Sequence, residues 1–160
     1  MPYALGPVKD HVRAAAEDIG KRFGITTVIG VALRKRDSYH PLGLALDFMT
    51  GKDMQKGEAL ANFARANASA YGITEVIWNQ KIWTTQRAAE NWRGMPDRGS
   101  DTENHKDHVH VSFSSKPGTG TVPDQSANGG TGLGCAILLI AAAGANAGGI
   151  TYVIHRLIGA

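Results

Sequence analysis

Five residues in two short segments have the types and spacing for metal chemistry. The first segment, Ser38-Tyr-His-Pro-Leu-Gly-Leu-Ala-Leu-Asp47, reads S-x-H-x-x-G-x-A-x-D. The second, Asp107-His-Val-His-Val111, reads D-H-x-H. Together they offer two imidazoles and a carboxylate as ligands, with spare acid/base groups beside them. A catalytic zinc needs that set: three protein ligands, a fourth position open to water, and a nearby proton acceptor. Either segment alone is a weak signal. Both in this order, with Gly43 and Ala45 between His40 and Asp47, make a strong one.

These groups need elements to position them. Val8, Val12, Ala15, Ala16, Ile19 and Phe23 form a helical stripe closed by Gly24. Ile25 to Val31 is rich in β-branched residues and reads as a strand. Leu33 to Pro41 reads as a polar, basic loop, and Leu44 to Met49 as a strand with Asp47 and Ala45 on one face. A second helix is expected over Gly57 to Tyr71, capped by Gly72. Glu75 to Trp78 and Lys81 to Thr84 read as short strands around an Asn79-Gln80 turn. Glu90 to Lys106, rich in Gly, Pro, Asp and Asn, reads as a long functional loop. His108 to Phe113 is the last strand, in which His108 and His110 point the same way. The fold class is therefore α+β, an antiparallel sheet with helices on one side.

Residues 116–132 are Gly-, Thr- and Ser-rich and read as a flexible linker after a domain of residues 1–115. Residues 133–160 form an apolar tail. Within it Leu133 to Ile154 carries no formal charge over about the ~20 residues of a membrane span. Gly144 and Gly148 there favour close helix pairing in lipid, and Arg156 follows on the side assigned to the cytoplasm. Gly, Ala and Asn146 weaken such a span. The N-terminus lacks an apolar stretch, so no cleavable export signal is expected. The single Cys135 excludes an internal disulfide and a cysteine-rich zinc site. A net charge of +3 with one tight basic cluster, Arg34-Lys-Arg36, argues against nucleic-acid binding. The same mild excess suits an anionic cell-wall polymer.

The motifs resemble those of the zinc peptidases of the lysostaphin / D-Ala-D-Ala peptidase / Hedgehog superfamily, which cut bacterial cell-wall peptides. The similarity is greatest to the D-alanyl-D-alanine carboxypeptidase-like branch, which includes phage endolysins. It rests on Leu44-Ala-Leu-Asp-Phe-Met49, Arg98-Gly-Ser-Asp-Thr-Glu-Asn-His105 and His108-Val-His-Val-Ser-Phe113, and spans Val8 to Phe113. The resemblance implies a Hedgehog/D-Ala-D-Ala-peptidase-like fold. It also implies one Zn²⁺ held by His40, Asp47 and His110, and hydrolysis of a stem peptide or cross-bridge in peptidoglycan.

For the base, the resemblance offers two groups. Asp107 matches the acidic residue three before the last ligand in the carboxypeptidase-like branch, although one methylene shorter than the usual Glu. His108 matches the non-ligand imidazole of the lysostaphin-like branch. Asp107 is favoured as general base and His108 as the orienting or transition-state-stabilising group; strict alternation turns Asp107 away from His110 unless a bulge or turn intervenes. Arg34, or alternatively Arg36, matches the substrate-binding Arg, and Ser38 the Ser two before the first ligand. His105 is close enough to reach the site, with an exposed loop position as its default. Trp78, Trp83 and Trp92 are candidates for an aromatic wall or for the core, and Asp97, Arg98 and Asp101 for the substrate rim.

Two settings fit. In one, the catalytic domain lies outside the cytoplasm, anchored in the membrane through residues 133–154. In the other, a phage endolysin stays cytoplasmic until lysis. A module of another class, a zinc-bearing domain that binds cell wall without cutting, would not need Asp107 or His108.

Overall fold

The computed structural model describes residues 3–33 and 38–120, all within one unit, Met1–Asp124. The expectations placed on Arg34, Arg36 and residues 133–160 fall outside the described residues.

Helix α1 (Asp10–Arg22) buries Val12, Ala15, Ala16 and Ile19 along one stripe, with Asp10 in its first turn and Lys21 and Arg22 in its last. Gly24, in the left-handed region at φ 59°, turns the chain out of it. Helix α2 (Met54–Ala66) starts three residues earlier than the apolar pattern indicates, because the Asp53 side chain accepts the Lys56 amide as an N-cap. It also stops short of Tyr71. Asn67 leaves helical geometry at φ −106° and ψ 19°, while its backbone amide and its side chain both donate to the Phe63 carbonyl, at 3.0 and 2.9 Å. The short α3 (Ala68–Tyr71) then ends at Gly72, also left-handed.

Six strands form one antiparallel sheet in the order β1-β2-β6-β3-β4-β5. They are β1 (Val28–Ile29), β2 (Ala45–Met49), β3 (Ile73–Trp78), β4 (Lys81–Thr84), β5 (Arg93–Gly94) and β6 (His108–Phe113). The expected strand over Ile25–Val31 shrinks to the two residues of β1, which pair with Phe48 and Asp47. The expected structureless stretch Glu90–Lys106 contains β5, paired with β4. Its far end is docked on the Asn79-Gln80 turn, whose amides donate to the His105 and Asn104 carbonyls at 2.7 and 2.8 Å.

Strand alternation divides the labour. Leu46, Phe48, Val76, Trp78, Val109, Val111 and Phe113 join α1 and α2 in the hydrophobic core. On the opposite face, cross-strand register aligns Ala45 with Ser112 and Glu75, Asp47 with His110 and Ile77, and Met49 with His108. That alignment needs a bulge in β3 between Ile73 and Glu75. Without it Glu75 would fall opposite Val111 on the core face, since a one-residue slip reverses every side chain.

The chain stays attached beyond residue 115, where the linker was expected to begin. Thr119 and Gly120 amides donate to Ser69 and Ala70 carbonyls, and Gly118 packs so closely on Gly72 that a Cβ there would meet backbone at 2.3 Å. No helix among the described residues is long and apolar enough to cross a membrane.

α3 is tied to α1 by the Tyr71 hydroxyl, which donates to Asp18 Oδ2, while Arg22 Nε holds the same carboxylate at 2.9 Å. Burial, then this bond, raises the Tyr71 phenol above its usual value. The folded chain thus keeps a proton that the unfolded chain releases near pH 10, so this stabilisation is present below pH 10 and fades as pH rises beyond it. Tyr71→Phe is expected to lose about 1–2 kcal/mol in urea unfolding at neutral pH, and to lose less further stability than the parent between pH 9 and 11.

Candidate metal centre

His40 comes from a one-turn 3-10 helix, His40–Leu42, ended by Gly43 at φ 68°. A Cβ at Gly43 would meet the Pro7 carbonyl oxygen at 2.7 Å and Val8 Cα at 2.9 Å, so only glycine lets this turn lie against the start of the chain. The Ser38 hydroxyl accepts the His40 amide at 3.3 Å, which gives Ser38 a place in the turn that presents His40. Asp47 lies mid-strand in β2, with His110 as its register partner in β6. The ligand atoms of His40, Asp47 and His110 all lie within 4.8 Å of one another. His40 and Asp47 are 2% and 3% exposed.

The protons on the rings decide what the cluster can do. His40 Nδ1 lies 2.5 Å from the Gly30 carbonyl, which only accepts, so Nδ1 carries the hydrogen and donates. The Ser112 hydroxyl donates to Glu75 Oε1 at 3.0 Å and therefore accepts from His110 Nε2–H at 2.9 Å. His108 Nδ1 donates to Asp107 Oδ1 at 2.6 Å. A ring carrying one hydrogen thus commits it to a partner away from Asp47. The other nitrogen of each, bearing the lone pair, faces Asp47 Oδ1: His110 Nδ1 at 2.8 Å, His40 Nε2 at 3.1 Å and His108 Nε2 at 3.8 Å.

Such opposition of acceptors is relieved by added protons or by a cation. Burial alone would raise the Asp47 carboxyl; where the rings carry those added protons, the hydrogen bonds and charge of His110 and then His40 outweigh burial and lower it far below the usual carboxylate range. A divalent metal accepts all three of the close donors at once, and partners that fix the far nitrogen of each ring are what ligating histidines require. The residues fit a metal ion.

Asp107 directly precedes β6. Its oxygens engage His108 Nδ1 and, at 2.5 Å, the Thr102 hydroxyl. Burial opposes ionisation, yet these bonds keep Asp107 below its ordinary value. The path from its carboxylate to the cluster runs through the His108 ring. His105 is half-buried rather than exposed, its ring 4.8 Å from that of His108 and 5.7 Å from that of His110. Burial, then the neighbouring His108 and His110, push it down to about 3.

Trp78 and Trp83 are core residues, and Trp92 packs against the core with Arg65 lying over its ring. Asp97 accepts from Asn104 Nδ2 at 2.7 Å and so braces the loop that carries His105. Sequence reasoning missed Gly30, Glu75, Thr102 and Ser112. Ser112 was within reach, two residues past His110 on the same strand face. Glu75 depends on a bulge and Gly30 on a carbonyl, neither of which leaves a mark in the sequence.

No curated protein and no solved structure matches the chain. Residues 4–106 match the family described as VldE, C-terminal domain. The match takes in His40, Asp47 and the bracing loop and stops just before β6. It spans more than half of the sequence, so this chain belongs to the VldE C-terminal domain family.

Proposed function

We propose that this chain is a zinc-dependent peptidase that hydrolyses peptide bonds in bacterial peptidoglycan, with a Hedgehog/D-Ala-D-Ala-peptidase-like arrangement of its sheet. The observation that carries the reading is the convergence of imidazole nitrogens on one buried carboxylate, each ring held from behind by a partner of its own. The choice of zinc follows from two nitrogens and one oxygen as donors. The choice of substrate follows from the resemblance of the two motifs to cell-wall peptidases.

His40, Asp47 and His110 would hold the metal. When bound, zinc acidifies a coordinated water and polarises the peptide carbonyl. His108 would take a proton from the attacking water, because its Nε2 lies beside the residues that would hold the metal. Asp107 holds the His108 tautomer and balances the charge it gains. This order of roles exchanges the one favoured from sequence, and it follows from where the Asp107 oxygens are engaged. Water adds to the carbonyl carbon, the C–N bond breaks, and the proton held on His108 passes to the leaving amine. On this reading the domain works outside the cytoplasm, either anchored through residues 133–154 or released at lysis as a phage endolysin. Arg34 and Ser38 remain the residues proposed to meet the substrate.

The functional test is digestion of purified peptidoglycan by the full chain, followed by mass spectrometry of the muropeptides. New peptide termini that form with zinc and not after chelation are the expected result; unchanged muropeptides would contradict the proposal. His108→Ala is expected to bind zinc normally and to lose about 10²–10⁴ in rate. Asp107→Asn should lose less, and a ranking in the opposite order would restore Asp107 as the base. Ser112→Ala, which fills the same buried volume but strands His110 Nε2–H, is expected to weaken zinc binding by about 10–100-fold in a competition titration against a chromophoric chelator.

A further inference from the structure

Across the sheet from the ligands, on the same face, stands a cation without an ion pair. Register runs Asp47, His110, Ile77, Ile82 and Arg93 in one row from β2 to β5. Beside it run Ser112, Glu75 and Thr84. Trp83 and Trp92, next to Thr84 and Arg93 in sequence, pack on the core face. Alternation therefore turns Thr84 and Arg93 to the face that carries the cluster. Ile77 and Ile82 form an apolar stretch between His110 and Arg93. Adjacent strands lie about 4.8 Å apart, which places the β4 backbone about 10 Å from that of β6.

Arg93 is half-buried. Its Nη2 donates to the Thr84 hydroxyl at 3.3 Å, which draws the guanidinium over β4. Its Nε is enclosed with no partner, while Nη1, also without one among the described residues, remains open to solvent. Other arginines are engaged within the chain: Arg22 by Asp18, Arg87 by Glu90, and Arg65 over the Trp83 and Trp92 rings. Opposite Thr84 stands Glu75. Its Oε1 accepts from Ser112 at 3.0 Å, and its Oε2 has no partner among the described residues. A carboxylate and a guanidinium thus flank one hydroxyl without pairing with each other. A half-buried charge left with one neutral hydrogen bond is costly to the chain alone, which is a pattern of ligand sites.

We propose that Arg93, Thr84 and Glu75 form a recognition subsite for an unblocked amino-acid head group, a carboxylate and an ammonium on one carbon, carried by the peptide substrate as a branch. The inference rests on the peptidase reading. A guanidinium with open Nη hydrogens beside a hydroxyl is a fork for a carboxylate. A plain anion there would be repelled by Glu75, and a plain ammonium at Glu75 would be repelled by Arg93. A head group bearing both charges satisfies each. The Thr84 hydrogen, which has no acceptor among the described residues, adds a third contact. With the head group over β4, the bond under attack lies about 10 Å away, the span of about three extended residues. One residue with a long straight side chain covers the same distance. The apolar stretch of Ile77 and Ile82 suits the methylenes of such a side chain. The subsite therefore selects a diamino acid whose far end is free.

The test measures hydrolysis of three synthetic peptides by the zinc-loaded, full-length protein. They differ in one residue next to the bond under attack: diaminopimelate with its far head group free, lysine, which lacks that carboxylate, or α-aminopimelate, which lacks that ammonium. The diaminopimelyl peptide is expected to lead each of the others by about 10–100-fold in kcat/KM, mainly through KM. Arg93→Gln should abolish the lead over the lysyl peptide and Thr84→Val should reduce it, with zinc affinity and melting temperature at parental values. A parent that cuts purified peptidoglycan yet treats the three peptides alike overturns the subsite and leaves the peptidase reading intact. An Arg93→Gln chain that slows all three peptides by the same factor does so too. A parent that binds no zinc, or cuts neither peptidoglycan nor any of the peptides, overturns the peptidase reading and this inference with it.

Discussion

A buried carboxylate surrounded by imidazoles is the constraint on which the rest of this site depends. Asp47 sits in the middle of a central strand, almost without solvent, and an isolated anion there would be strongly destabilising. Its oxygen Oδ1 is met by nitrogen on three sides. Each of those rings is oriented by a different kind of partner: a backbone carbonyl, a serine–glutamate pair, and an aspartate. The three donor atoms lie close enough together to hold a cation, which is the physical content of calling the cluster a candidate metal centre.

The sheet makes the arrangement possible by keeping its two faces chemically separate. Val109 and Val111 in β6 seal the helical layer while His108, His110 and Ser112 face the other way. Period-two alternation alone brings Asp47 beside His110. The bulge in β3 then moves Glu75 from the core face to the site face, where it closes the chain from His110 through Ser112. One irregular residue thereby places a carboxyl group behind the Ser112 hydroxyl that His110 meets.

Much of this was legible in the sequence because it follows from short-range pattern. The spacing from His40 to Asp47, the His-x-His alternation and the glycine at position 43 are local, and they identified the donor set. The ends of the helices were not legible to the same degree: Asp53 capping lengthened α2 at one end, and the non-helical backbone of Asn67 ended it at the other. The loop before β6 read as irregular because its order comes from long-range bonds to the Asn79-Gln80 turn. The same bonds explain why His105, an ordinary loop residue by composition, ends up packed against the rings. The contact between Asp107 and the His108 ring was not legible either, since the order of two adjacent groups along a chain does not show which oxygen meets which nitrogen.

The central claim is that His40, Asp47 and His110 together hold one zinc ion. X-ray absorption at the zinc edge of the loaded full-length protein tests it most directly. The account predicts one tightly held ion in a shell of nitrogen and oxygen at about 2.0–2.2 Å, with outer scattering from two imidazole rings. A hydrated, all-oxygen shell without imidazole scattering, or an ion lost on simple dialysis, would contradict it.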